Sequence, residues 1–443
     1  MFRKFFGGVH PNEGKSLTEN CPIAELPAPE QIFIPVSLHI GAPCEPIVSV
    51  GDHVNLGQLI AKATAAVSAD IHASVSGTIS AIEPRLHANG KMVLTIVINN
   101  DMQDTVDESV VPHTAELEND PKALTEIVRK AGIVGMGGAA FPTAVKITSG
   151  LGKVDNIIIN AAECEPYLNC DNRIMIERTK EFVEGVRLLA TACGVQHVYI
   201  GIEENKPEAY AALVALDGVV TEKGPITPGD IVVVNLKAKY PQGAEKTLIY
   251  ACTKRKVPTG GLPAAVGCIV NNVATAYAVW DAVVNGRPLY KRVMTLSGRG
   301  IRRPMNIEVR VGTPLASIVE MCDNITDDTV KLVMGGPMMG FTLADLDVTT
   351  TKTDSGFLAL TDKEASTLLP TPCIRCGRCV DICPMQLTPL MIDFYATVGD
   401  FKNALKYGAM NCFECGSCAY VCPAKRPLVQ SIRLTKAKAK EIK

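Results

Sequence analysis

The sequence predicts a multidomain protein that joins an α/β domain to α+β units and ends in a small, cysteine-rich helical domain. Three observations carry this expectation. A chain of 443 residues suggests about three domains at roughly 150 residues each. One cysteine pattern is duplicated near the C-terminus. In the middle of the chain, strand-like apolar runs end in polar and glycine-bearing turns, as in open α/β sheets.

Hydrophobic residues make up 47% and charged residues 20%, which sets aside disorder, collagen and coiled coil for the chain as a whole. A net charge of −2 lacks the basic excess that a nucleic-acid partner demands. The longest apolar stretch, Leu262 to Val284, is broken by Asn271, Asn272 and Asp281, so no membrane span is expected. Met1 to His10 lacks the apolar core of a signal peptide. The expected setting is the reducing cytosol, where clustered cysteines imply metal or redox chemistry.

Eight of the 16 cysteines lie in the last 71 residues. Cys373-x-x-Cys376-x-x-Cys379-x-x-x-Cys383-Pro384 recurs as Cys412-x-x-Cys415-x-x-Cys418-x-x-x-Cys422-Pro423, 39 residues later. This is the bacterial ferredoxin run for [4Fe–4S] clusters. Three thiolates two residues apart can wrap one face of a cubane, and the Cys-Pro leaves on an extended path. In two-cluster proteins the fourth cysteine serves the other cluster. One set is then Cys373, Cys376, Cys379 and Cys422; the other is Cys412, Cys415, Cys418 and Cys383. Structural zinc prefers two pairs separated by a longer loop and fits poorly. Thr388 to Thr397 and Asp400 to Met410 read as helices between the two motifs.

In the middle of the chain, Pro121 to Lys130 reads as an amphipathic helix with Leu124, Ile127 and Val128 on one face. Gly135-x-Gly137-x-x-Ala140 formally matches the dinucleotide fingerprint. That fingerprint needs a preceding strand, and here a helix precedes it, so an ordinary Rossmann loop is rejected. Glycine amides can still approach an anion, Pro142 suits a helix start and Lys146 adds charge. A structural turn between helices is the plain alternative. Val154 to Asn160 reads as a buried strand running into Asn160-Ala161-Ala162-Glu163-Cys164-Glu165-Pro166, polar residues where such sheets bind ligands. A helix over Arg173 to Thr191 and strands over His197 to Ile202 and Asp230 to Asn235 follow. They lead to Lys239-Tyr240-Pro241-Gln242-Gly243-Ala244-Glu245-Lys246 and then to Asn271-Asn272-Val273-Ala274-Thr275.

The flanks are β-rich. Gly51 to Ile60 and Ala73 to Ile79 resemble the halves of a biotinyl/lipoyl-type barrel sandwich. The turn between them, Thr64 to Ile71, has no lysine, so no carrier role is expected. Arg292 to Gly298 and Asn306 to Pro314 resemble a small β-grasp (SLBB) domain. The expected units are 1–105 (barrel sandwich), 118–288 (α/β domain), 289–345 (SLBB), 346–370 (linker), 371–432 (two-cluster domain) and 433–443 (a basic, solvated tail).

Residues 135–146, 160–166 and 271–273 resemble the NADH-oxidising flavoprotein subunit of respiratory complex I. Phe6-Gly7-Gly8-Val9-His10-Pro11, the 239–246 motif and the domain order are similar to the RnfC family, peripheral subunits of Rnf electron transport complexes. That likeness runs through essentially the whole chain. It implies FMN phosphate contacts at Gly135, Gly137, Gly138 and Lys146, with Phe141 stacking on NADH. It implies a flavin and nicotinamide pocket lined by Asn160, Glu163 and Glu165, the two glutamates in catalytic positions. Tyr240, Gly243, Glu245 and Lys246 would join the cofactor site, and Asn271, Asn272 and Thr275 would complete its phosphate and ribityl side. Two positions depart from the complex I pattern: Ala162 replaces an acid and Met136 an arginine.

The resemblance implies an electron-transfer subunit of a membrane-bound ferredoxin:NAD⁺ oxidoreductase. It would exchange hydride between NAD(H) and FMN and single electrons with two [4Fe–4S] clusters, while partner subunits move Na⁺ or H⁺. Implied partners are the membrane subunits, the ferredoxin-like iron–sulfur subunit and, indirectly, ferredoxin. The implied location is the cytoplasmic side of the inner membrane. The rivals are a soluble flavin reductase such as a cobalamin reductase, whose domain order differs, and a relay without an NADH site.

Overall fold

Runs of β-branched residues build the centre of the molecule. In the computed structural model, which describes residues 5–113, 119–366, 368–439, 441 and 442, they form a five-stranded sheet. The strand order is Val219–Thr221, Ile231–Leu236, His197–Glu203, Asn156–Ala161 and Cys268–Asn272, all parallel. Ile157 and Ile159 pack on one face with helices Pro121–Lys130, Thr179–Cys193 and Val273–Val284. Ile158 packs on the other with helix Glu245–Thr253. Both faces are covered, which is why these strands read as continuous apolar runs.

The helix expected over Arg173 to Thr191 is two, Cys170–Glu177 and Thr179–Cys193. They part at Arg178, which leaves helical geometry at φ −130° and pairs with Glu308 at 2.6 Å. Residues 31–100 form the barrel sandwich. A four-stranded sheet (Gln31–Pro35, Met92–Asn100, Gly77–Leu86, His53–Val54) meets a three-stranded one (Glu45–Pro46, Leu59–Lys62, Ile71–His72). Their shared core includes Ile32, Ile34, Ile60, Ile79 and Ile98.

Three boundaries need correcting. Residues 346–370 are not a linker, because Gly356–Thr361 is a fully buried strand inside a six-stranded mixed sheet. Its run Phe357-Leu358-Ala359-Leu360 has no polar face to leave in water. The same sheet takes Ile23–Glu25, from the unit expected at 1–105, as an edge strand beside Met305–Arg310. The basic tail expected from residue 433 begins inside helix Leu428–Ala439. There Arg433 and Lys436 pair with Glu414 at 2.8 and 2.6 Å, so those charges are partnered and not simply solvated.

Candidate functional site

The carboxyl ends of the parallel strands bring the predicted residues of the middle domain together. Asn272 lies opposite Asn160, and Gly201 flanks Asn160 from the other side. The glycine loop closes over this edge. Val134 bridges Pro142, and the Gly135 amide donates to the Phe141 carbonyl at 2.8 Å. Gly138 has φ +137° and nothing within 4 Å of where a Cβ would stand, so its backbone is open to a close-approaching group. Gly137 sits beside Asn272, whose own side chain caps helix Val273–Val284. Thr275 Oγ1 accepts the Met136 amide at 3.0 Å, which ties the loop to that helix. Met136 itself packs into the main core, and its carbonyl accepts from Arg292 at 3.2 Å. At this position the backbone, not the side chain, does the positioning.

Several polar atoms buried here are orphaned. Thr143 Oγ1, both side-chain atoms of Asn271 and both of Gln242 have no hydrogen-bond partner among the described residues. Each such atom costs about 1–3 kcal/mol unless something else satisfies it. Donors and acceptors at the end of a parallel sheet, beside an open glycine backbone, fit a flavin mononucleotide. Lys146 donates to the Val270 carbonyl at 2.7 Å, and burial holds its pKa down while Glu245 opposes that shift. Burial pushes the Glu245 carboxyl up, countered by Lys146 and Lys246. Lys246 reaches the Pro258 carbonyl at 3.5 Å, and Phe141 is partly exposed.

The 160–168 segment is held from several sides. Asn160 donates to the Gly243 carbonyl at 2.9 Å and accepts the Ala162 amide at 3.2 Å. Glu163 stands at φ +42°, and its carboxylate accepts the amides of Asp171 and Asn172 at 2.7 and 3.1 Å. It thus caps helix Cys170–Glu177, where a negative charge suits the helix dipole. Glu165 accepts the Met338 amide at 3.1 Å and meets the Tyr240 hydroxyl at 3.3 Å. Removal from water pushes the Glu165 carboxyl up to about 7, against those hydrogen bonds and the charge of Lys15. Two buried ammonium groups draw in the carbonyls of the segment. Lys206 takes Ala162 at 2.6 Å; Lys15 takes Glu163 at 2.9 Å, Glu165 at 3.2 Å and Leu168. The sequence offers no local signal for Lys15, which is 148 residues from Glu163. Gln242 lies within a visible motif, and only its burial singles it out.

The C-terminal domain repeats itself in backbone detail. Arg375 and Glu414 have φ of +56° and +61°, Gly377 and Gly416 of +79° and +80°, Gln386 and Lys425 of +53° and +50°. The amides of Arg375 and Glu414 point at Cys373 and Cys412 Sγ at 3.4 and 3.2 Å. Those of Leu387 and Arg426 point at Cys383 and Cys422 Sγ at 3.4 and 3.5 Å. Cys373, Cys376, Cys379 and Cys422 line one cavity, the same four that the spacing groups together. Cys383 lies within electrostatic reach of Cys412, Cys415 and Cys418. Burial, then the charge of these neighbours, pushes the thiols of Cys412 (to about 11), Cys415 and Cys418 up. Thiols gathered at such electrostatic cost fit a cationic iron centre, which binds them deprotonated.

The two domains meet at Tyr240. Its hydroxyl lies 2.7 Å from the Cys415 carbonyl, and Val9, Tyr240 and Cys415 pack together with Cys164 and Met338 at the margin. Cys373 and Cys376, by contrast, are exposed.

A flavin-type sheet edge joined to a duplicated cysteine domain defines a flavin and iron–sulfur electron-transfer protein. Comparison with known proteins agrees with this class. Residues 128–281 match the Nuo51 FMN-binding domain and 372–425 the 4Fe-4S dicluster domain. Residues 3–103 match the RnfC barrel sandwich hybrid domain and 293–342 the SLBB domain. The chain is 44% identical to the RnfC-type subunit of the Na(+)-translocating ferredoxin:NAD(+) oxidoreductase complex of Acetobacterium woodii, over 98% of this chain and 96% of that one. It is 45% identical to the counterpart from the proton-translocating complex of Clostridium ljungdahlii, over 99% and 94%. The corresponding subunit of an ion-translocating oxidoreductase complex of Rhodobacter capsulatus is 45% identical, over 98% and 83%. A crystal structure of an air-oxidized NAD+-reducing [NiFe]-hydrogenase shares the fold at TM-score 0.51 and 18% identity, covering 71% of this chain and 63% of that one. The chain belongs to the RnfC family.

Proposed function

We propose that this chain is the NAD(H)-linked electron-transfer subunit of a membrane-bound ferredoxin:NAD⁺ oxidoreductase complex. FMN, when bound, accepts two electrons as hydride and releases them singly, which iron–sulfur clusters require. Thr143, Lys146, Asn271 and the glycine loop hold that cofactor at the sheet edge. Asn160, Glu163, Thr275 and Asn272 act through the backbone, keeping the loops around it in place. Cys373, Cys376, Cys379 and Cys422 bind one [4Fe–4S] cluster, and Cys383, Cys412, Cys415 and Cys418 bind the other.

The observation that carries this reading is the Tyr240 contact. The residue belongs to the motif that lines the flavin pocket, and its hydroxyl bonds to the backbone of a cysteine in the second set. The set containing Cys415 therefore exchanges electrons with the flavin, and the exposed set containing Cys373 exchanges them with a partner subunit. No helix among the described residues is long and apolar enough to cross a membrane. Ion passage accordingly falls to the membrane subunits, with this chain docked on their cytoplasmic side.

The test is anaerobic purification, iron, sulfide and flavin quantification, then NADH titration followed by absorbance and EPR. About eight irons and one FMN, bleached by NADH with the appearance of reduced-cluster signals, are expected. Flavin that NADH does not bleach would reduce the chain to a relay.

A further inference from the structure

We infer that residues 7–15 form a strap that holds the Cys383–Cys418 cluster site against the flavin domain and thereby sets the rate of electron passage between them. This rests on the function proposed above. Gly8 donates its amide to the Ile382 carbonyl at 2.8 Å, next to Cys383. Val9 and Tyr240 exchange backbone hydrogen bonds of 2.8 and 2.9 Å. The strap is thus bonded to the cysteine loop on one side and to the flavin-domain turn on the other.

The fit is too close for a side chain. A Cβ at Gly7 would stand 2.6 Å from the Ile382 carbonyl oxygen, and one at Gly8 2.5 Å from that of Tyr240. Both glycines also sit at positive φ, +71° and +80°. Further along, the Tyr167 amide donates to the Glu13 carbonyl at 2.6 Å. Lys15 then gathers the carbonyls of Glu163, Glu165 and Leu168. Asn169 returns a bond of 2.8 Å to the Lys15 carbonyl, so the strap's far end is anchored in the loop that carries Glu163 and Glu165. Nine residues thereby touch the cysteine loop, the Tyr240 turn and the 160–168 loop, three segments that are remote in sequence.

The step concerned balances simply. NADH becomes NAD⁺ and a proton, and its two electrons reduce two clusters by one each. The strap takes no part in the chemistry; Gly8 and Val9 are positioning residues.

The test uses Gly8→Ala, which forces the gap open, and Val9→Pro, which deletes the amide bonded to Tyr240. In the cofactor-free chain, hydrogen exchange at the Tyr240 amide should rise about tenfold or more, with the parallel sheet unchanged. In the loaded protein, stopped-flow flavin bleaching by NADH should stay within about twofold, while cluster reduction slows about tenfold or more. Unchanged exchange, faster exchange with an unchanged cluster rate, or equal slowing of both steps in both variants would overturn the strap. Loss of flavin or iron from both variants would also overturn it, since the segment would then be a fold element only. If the wild-type clusters stay oxidised while its flavin bleaches, the proposed function fails instead.

Discussion

The Tyr240 hydroxyl stands 2.7 Å from the carbonyl oxygen of Cys415 and 3.3 Å from a carboxyl oxygen of Glu165. One phenol thus touches both a cysteine loop and a loop of the proposed flavin site. Its single proton serves the shorter bond, leaving its oxygen to face Glu165.

Tyr240→Phe removes both contacts and keeps the ring. A cost of about 1–2 kcal/mol is expected, because the Cys415 carbonyl loses a buried partner. In the loaded protein, cluster reduction should slow more than flavin bleaching does. Equal rates for both steps in wild type and variant would remove Tyr240 from the path.

The crossing of the fourth cysteine is testable by pairs. Cys383→Ser with Cys412→Ser removes two members of one proposed set, and about four irons should remain. Cys383→Ser with Cys373→Ser strikes both sets, and iron should fall towards none. If each motif instead served its own cluster, the two double variants would exchange outcomes. Iron and sulfide analysis with EPR decides.

Glu203 and Glu165 each have a carboxyl pushed up to about 7, in both cases mainly by removal from water. Around Glu203 stand Lys206, Lys15, the Lys239 amide and Glu13. A raised folded pKa means that the folded chain holds a proton the unfolded chain has lost. Stability is therefore greatest near the ordinary carboxyl value of 4.5 and falls as pH rises towards about 7. The slope is at most about 1.4 kcal/mol per pH unit for each group. The cofactor-free chain should melt at lower temperature at pH 7 than at pH 5, and Glu203→Gln should flatten the profile. A melting temperature that climbs over this range would show that both groups are ionised in the fold.

Gln242→Met replaces a buried amide, orphaned at both polar atoms, with an apolar side chain of similar length. Removing unpaired polar atoms should leave the cofactor-free chain as stable or more stable, by about 1–3 kcal/mol. If FMN is the missing partner, flavin affinity should fall at the same time. Titration of flavin fluorescence, read beside the melting curve, gives the two signs. Undiminished affinity would point to buried water as the partner.

Much of this molecule is legible in short-range patterns. Cysteine spacing groups the four residues that line one cavity, because a CxxCxxC turn places its thiols by local geometry alone. Runs such as Ile157 to Ile159 and Ile231 to Val234 read as buried strands, since no residue in them asks for water. The strand Gly356–Thr361 is equally apolar, yet its place between Lys291–Ser297 and Thr329–Met334 depends on partners far along the chain. Glu163 and Glu165 stand out as acids beside a strand end, but nothing nearby in sequence shows that Glu163 caps a helix.

By itself, the sequence determined the cluster motifs, the strands of the central sheet and the glycine loop, all set by spacing and side-chain type over a few residues. Only the tertiary structure decided which cysteine set faces the flavin domain, that Met136 packs inward, and that Lys15 grips a loop 148 residues away. A buried ammonium or an orphaned amide is defined by what closes around it, and that closure is a property of the folded chain.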